Sequence, residues 1–224
     1  MCGRYTLRTP ASVLVRQFLL PGMAEMPDRY NIAPTQSVLG VRSADGAGRE
    51  AAMFRWGLIP SWAKDPAIGN RMINARAETV ASKPAYRSAF KHRRCLVLAD
   101  GFFEWKKQGA AKQPFFMHLV NNEPFAFAGL WERWGDGDEP IESCTIITTE
   151  PSALMSDIHD RMPVILEPSD YELWLDPEFE NYDYLGSMLR PYLDERLVAE
   201  PVSTHVNNPR NDSPQCVEVQ KTLF

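Results

Sequence analysis

Four apolar runs, CLVLADGFFEW, PFFMHLV, FAFAGLW and SCTIITT, follow one another between Cys95 and Thr149 with breaks only at QGAAKQ, VNNEP and GDGDEP. Each run is rich in the aromatic and β-branched residues that suit a pleated surface, and each break carries turn formers. A parallel connection needs a dozen or more residues, so breaks this short predict antiparallel neighbours. The middle of the chain is therefore restricted to an antiparallel sheet that has to curl to bury its apolar face.

The flanks add to this plan. Thr9 and Pro10 predict a helix start, and ASVLVRQFLL keeps helical spacing until Pro21-Gly22. QSVLGVRS, the turn DGAGRE and AAMFRWG predict a hairpin. The segment WGLIPSWAKDPAIGNRMINARAET has no period and is long for a loop, a length that often carries function. Residues 81–91 predict a short helix, PSALMSDIHD a helical turn leading into a strand at MPVILEP, and SDYELWL a helix opened by a capping box from Ser169 to Glu172. LVAEPVS and CVEVQ predict one or two closing strands. No repeat or low-complexity linker divides the chain. The expected fold is a single α+β domain over residues 1–224, with a twisted, barrel-like, mainly antiparallel β core and peripheral helices.

A net charge of -5 excludes a wholly basic nucleic-acid binder. The total conceals an uneven distribution. Arg71, Arg76, Lys83, Arg87, Lys91, Arg93 and Arg94 face only Glu78, a local +6 that leaves -11 for the remainder, and ten acids crowd the stretch from Glu167 to Glu200. A basic face able to meet phosphates is one reading, and a solvated charged face the other. Cys2, Cys95, Cys144 and Cys216 form no CxxC pair, and His92, His118, His159 and His205 have no ligand spacing, so neither a metal site nor a cofactor is expected. Cys95 and Cys144 sit in apolar runs and read as buried thiols. With no signal peptide and no apolar run near 18 residues, a cytoplasmic protein without membrane contact is expected.

Cys2 follows the initiator methionine. Methionine aminopeptidases remove Met1 before a small residue, and the exposed cysteine then carries an α-amine, pKa about 7.7 to 8.0, beside a thiol of about 8.5. This 1,2-aminothiol condenses with an aldehyde to an imine, on which the thiolate closes a five-membered thiazolidine. Elsewhere, Glu104 lies among Phe102, Phe103 and Trp105, surroundings that raise a carboxyl pKa and suit it to shuttle a proton, although pairing with Lys106 or Lys107 is an equal reading. His159, beside Asp157, Asp160 and Arg161, has the ring to donate and accept protons. Asn74 and Arg76 in INARAET have side chains able to orient an amine and hold a phosphate.

The ordered set MCGRYT, YNIAPTQ, WGLIPSW, INARAET, RRCLVLADGFFEW, KQPFF and DIHDRMPVIL resembles the SRAP (SOS response-associated peptidase) family from Cys2 to about Leu166, and continues more weakly to VNNPRND. The resemblance implies a barrel-like antiparallel sheet, a basic groove for single-stranded DNA, and covalent capture of abasic sites by the N-terminal cysteine. By motif it assigns Cys2 as nucleophile, Asn74 as the residue that positions its amine, and Glu104 and His159 as the acid/base pair. Arg4, Arg76 and Arg161 resemble phosphate-contacting arginines, Trp62 an aromatic packing on the strand, and Asn31, Thr148 and Thr149 groove residues. Ala63 departs from relatives that carry a second aromatic after Trp62, which bears on the extent of stacking.

The expected partner is single-stranded DNA containing abasic sites, bound by a monomer, with strand-cutting lyase chemistry as a side path if the imine outlasts ring closure. Two other readings stay open. One is an N-terminal-nucleophile cysteine peptidase, satisfied by a single self-processing event that exposes Cys2. The other is a non-covalent single-stranded DNA binding module.

Overall fold

At Asp100 the run CLVLADGFFEW, expected as one strand, divides between two sheets. The computed structural model describes residues 2–44, 48–109, 111–135, 137 and 139–220. Met1, whose removal was expected, and parts of the turns DGAGRE, QGAAKQ and GDGDEP lie outside the described residues. The strands are β1 Tyr5–Leu7, β2 Arg29–Ile32, β3 Ser37–Ser43, β4 Arg49–Trp56, β5 Asn74–Arg76, β6 Arg94–Ala99 and β7 Gly101–Gln108. They continue with β8 Ala111–Leu119, β9 Phe125–Trp134, β10 Ile141–Thr149, β11 Met162–Pro163, β12 Ile165–Leu166 and β13 Leu197–Pro201. Short helices flank them: α1 Ala11–Phe18, α2 Ala77–Val80, α3 Arg87–His92, α4 Ala153–Ser156, α5 Tyr171–Leu175 and α6 Tyr182–Ser187.

One sheet runs β13-β8-β7-β1-β2, and the other β11-β10-β4-β3-β6-β9-β12. A further pairing of β9 with β10 closes β10-β4-β3-β6-β9 into a five-stranded barrel, the α+β architecture expected. Closure is favoured because it leaves those five strands without an open edge. It also requires one contact of opposite sense: β4 pairs β10 in parallel, as does the short β5, while the other ladders are antiparallel. Apolar residues fill the interior. Tyr5 carries β1 into this core, its ring edge-on to Trp56 at 5.3 Å and to Phe127 at 5.8 Å. On the other sheet Phe103 and Phe116 form a smaller cluster with Val202, Val206 and Cys216 from the C-terminal segment.

Several local expectations are corrected. Pro10, not Thr9, occupies the N-cap of α1, and the Thr9 hydroxyl donates to Asp100 at 3.1 Å. The helix ends at Phe18 because Leu19 turns left-handed, φ 55°. No capping box forms at Ser169 and Glu172; a 3-10 turn over Pro168–Asp170 leads into α5. MPVILEP splits at Val164 so that its halves serve β10 and β9 separately. CVEVQ forms only a bridge between Val219 and Val202.

The basic stretch is not one free face. Arg94 is buried, donating to the carbonyls of Phe90, Lys91, Trp174 and Asp176 at helix ends, and Arg93 pairs with Glu132 at 2.9 Å. Cys95 and Cys144 are buried as expected. The crossing at Asp100 leaves no room at the next residue: a Cβ on Gly101 would come within 2.2 Å of the Phe116 ring and 3.0 Å of the Met117 carbonyl. We therefore expect Gly101→Ala to cost about 1–3 kcal/mol in urea unfolding, the usual penalty of overpacking.

Candidate active site

Cys2 is fully buried, and what holds it there is the segment that follows. The carboxylate of Asp100, itself buried, accepts from the Thr6 hydroxyl, the Arg8 amide, Arg8 Nε at 3.2 Å and the Thr9 hydroxyl. Four donors on one carboxylate anchor residues that the three-residue β1 alone would hold weakly. Asn74, carried by β5 against β10, donates from Nδ2 to the Cys2 carbonyl at 2.8 Å. Its Oδ1 is buried with no hydrogen-bond partner among the described residues. An acceptor left so typically costs about 1–3 kcal/mol.

Glu104 on β7 is buried and lies 3.9 Å from His159 Nε2. Among the described residues no ion pair joins it to Lys106 or Lys107, and its nearest ring nitrogen is that of His159. Burial raises its carboxyl to about 7, against the opposing pull of the chain's amino terminus. His159 follows α4, which Ser152 caps by accepting from the Met155 amide, and the His159 amide in turn donates to the Met155 carbonyl at 2.8 Å. Nδ1 meets the Arg161 amide at 3.0 Å, the Arg161 carbonyl at 3.3 Å and Asp160 Oδ1, so its neighbours include both a donor and acceptors, while Nε2 faces Glu104. Burial lowers the His159 pKa, and the amino terminus lowers it further, while exposed Asp160, 3.0 Å from Nδ1, opposes both. The Cys2 thiol is raised by burial first and by the Glu104 charge second, so thiol and carboxylate share one low-dielectric space.

Two of the arginines are held by fixed partners. Arg4 Nη1 donates to Asn31 Oδ1 at 3.2 Å and to the Val206 carbonyl at 3.0 Å. Arg161 is gripped by both carboxylate oxygens of Glu78, at 2.6 and 3.0 Å, and donates to the Thr148 carbonyl at 2.6 Å. Arg76 is exposed at the end of β5. An open cleft of about 440 Å³ is bordered by Arg4, Glu104, His159, Trp105 and Asn207.

Not every expected groove residue faces that cleft. Asn31 is fully buried and uses its amide on the carbonyls of Val206, Asn208 and Asn211 while its oxygen holds Arg4, so it positions an arginine instead of presenting itself. Thr148 and Thr149 are buried, with hydroxyls donating to Ala75 and Leu189 carbonyls at 3.4 and 3.1 Å. Trp62 is 62% exposed and lines a separate depression with Lys64 and Arg71. Asp100, Glu78 and the stretch from Val206 to Asp212 were not singled out as site residues from the sequence. The only local trace of Glu78 was its place as the lone acid in a basic stretch. No group of His, Cys, Asp and Glu suited to a metal occurs among the described residues.

The family model described as SOS response associated peptidase (SRAP) matches residues 1–209. The chain belongs to this family. Abasic site processing protein YoqW of Bacillus subtilis is 45% identical over 97% of this SRAP chain and 99% of the relative. Abasic site processing protein YedK of Escherichia coli is 30% identical over 97% and 99%. Abasic site processing protein HMCES of Xenopus tropicalis is 37% identical over 79% of this chain and 59% of that protein. A Bacteroides thetaiotaomicron crystal structure superposes with a TM-score of 0.87, 27% identity, and coverage of 98% of this chain and 100% of that one. Cys2, Asn74, Glu104 and His159 all lie within the matched SRAP residues, whereas Asp212, which grips the β2 amides of Tyr30 and Asn31, lies beyond them.

The Glu104 shift has a measurable consequence. Its ordinary value is 4.5 and its folded value about 7, so between those pH values the folded state binds the extra proton and stability falls as pH rises. The fall should total roughly 3 kcal/mol, at about 1.4 kcal/mol per unit. Urea unfolding from about pH 4.5 to 8 should show this decline in the wild type and lose it in Glu104→Gln.

Proposed function

We propose that this protein captures abasic sites in single-stranded DNA by closing a thiazolidine ring on Cys2. The observation that carries the reading is the grip of Asn74 on the Cys2 carbonyl at 2.8 Å, beside a buried Glu104 that faces His159. The names of the relatives, abasic site processing proteins, supply the substrate class. Hydrolytic removal of Met1 frees the Cys2 α-amine, and the unused Asn74 Oδ1 accepts one of its N–H bonds.

The chemistry then follows from groups at hand. An abasic deoxyribose reacts only as its open aldehyde, and His159 takes the C1′ hydroxyl proton and returns it to the ring oxygen as the C1′–O4′ bond breaks. Glu104, titrating near neutrality, takes a proton from the α-ammonium and returns one to the carbinolamine hydroxyl as water leaves. The resulting C1′=N imine is attacked by the Cys2 sulfur; the S–C1′ bond forms, the C=N electron pair moves to nitrogen, and the thiol proton ends there. The balance is aldehyde plus aminothiol giving thiazolidine plus one water. If the imine persists instead, loss of the proton at C2′ expels the 3′ phosphate and cuts the strand, the lyase side path. A sugar without a base offers nothing to read, so Arg4, Arg76 and Arg161 hold flanking phosphates, and binding depends on salt.

Incubation with a single-stranded abasic oligonucleotide should give a one-to-one adduct whose intact mass equals the sum less one water. Cys2→Ala, or a chain with an extra residue retained before Cys2, should give none. Cys2→Ser separates this reading from an acyl-transfer peptidase, because a hydroxyl serves acyl transfer but yields only a less stable oxazolidine. A stable adduct in Cys2→Ala would overturn the proposal.

A further inference from the structure

Along β7 and β8 the residues of one face pair across the hairpin as Phe103 with Phe116, Trp105 with Pro114, and Lys107 with Lys112. The row passes from core to rim. Phe103 and Phe116 are covered by Val202, Val206 and Cys216, and Trp105 is half-buried, its Nε1 donating to Asn207 Oδ1 at 2.7 Å. Past Trp105 the two lysines stand exposed, directly opposite each other, on the wall of the cleft that holds Glu104 and His159.

This pairing is unfavourable in the free protein. Like charges facing each other across an antiparallel ladder destabilise it by a few tenths of a kcal/mol or more. Among the described residues no carboxylate lies within ion-pair distance of either lysine, although Arg42, Arg93 and Arg161 each have one close by. The Lys107 charge also reaches the reaction centre, being among the influences that lower the His159 pKa, after burial and the amino terminus. Two ammonium groups without a carboxylate partner among the described residues, on one side of an open cleft, present charge suited to an anion that spans both, and a chain of phosphodiesters is such an anion.

We propose that Lys107 and Lys112 form a phosphate clamp for the DNA strand on the hairpin side of the reacting sugar, a position distinct from those of Arg4, Arg76 and Arg161. The inference rests on the proposed capture of abasic DNA and extends the path of the strand. Lysine suits the task because its ammonium is a point charge on a flexible stem, tolerant of a moving backbone.

The test measures equilibrium binding in a Cys2→Ala background, where no covalent product interferes, to a single strand carrying a tetrahydrofuran abasic analogue. Each phosphate neutralised on a single strand contributes about 0.7 to the slope of log affinity against log salt. Lys107→Gln/Lys112→Gln should lower that slope by roughly 1.4, and Lys107→Arg/Lys112→Arg should restore it. A neutral methylphosphonate, walked along the strand, should weaken the parent protein at one or two positions and have no further effect there on the Gln variant. The melting temperature of the Gln variant should equal or exceed that of its parent, since a repulsion is removed. An unchanged salt slope, a loss that Arg does not restore, or a lower melting temperature would each overturn the clamp. If the wild type forms the adduct while the slope is unchanged, only the clamp falls; if the wild type forms no adduct, the capture reading falls with it.

Discussion

Asp100 gathers the Thr6 and Thr9 hydroxyls, the Arg8 amide and Arg8 Nε on one buried carboxylate, and the site takes its geometry from that junction. The first residues of a chain fray unless something ties them down. Here a three-residue strand is held between β2 and β7, and Tyr5 is plugged against Trp56 and Phe127. Asp100 also joins β6 to β7, so the residue that anchors the segment behind Cys2 sets the start of the strand bearing Glu104. Cys2 and Glu104 are thus positioned from one point.

Removing these groups from water is what changes their chemistry. Burial raises the Glu104 carboxyl to about 7 and the Cys2 thiol further, and lowers His159, because the charged form of each loses solvation. The cations around them are of two kinds. Arg4 and Arg161 are oriented by Asn31 and Glu78 and keep little side-chain freedom. Lys107 and Lys112 face each other across the hairpin, and among the described residues no carboxylate pairs with either.

Much of the architecture was legible because strand composition and short turns are local signals. The hairpin of β3 and β4, the strands β8, β9 and β10 and the turn at α4 lie where their runs and breaks indicate, whereas CLVLADGFFEW became two strands, β6 and β7. The capping box at Ser169 failed because Pro168 starts a 3-10 turn there and displaces the helix start to Tyr171. The basic stretch misled for another reason: Arg93 and Arg94 are close in sequence to exposed arginines, yet are spent on Glu132 and on helix-end carbonyls. Charge counts along a chain do not say which charges face water.

By itself the sequence determined most element types and the antiparallel sense of the short connections, since each depends on residues adjacent in the chain. Only the tertiary structure decided that β9 meets β10 to close the barrel, that β4 and β5 lie parallel to β10, and that Asn31 turns inward to hold Arg4. It alone brought Thr6 to Asp100 across 94 positions, Cys2 to Asn74 across 72, and Asn31 to Asn211 across 180. Contacts at such separations leave no periodic or compositional trace, because they depend on how sheets close and which faces are covered.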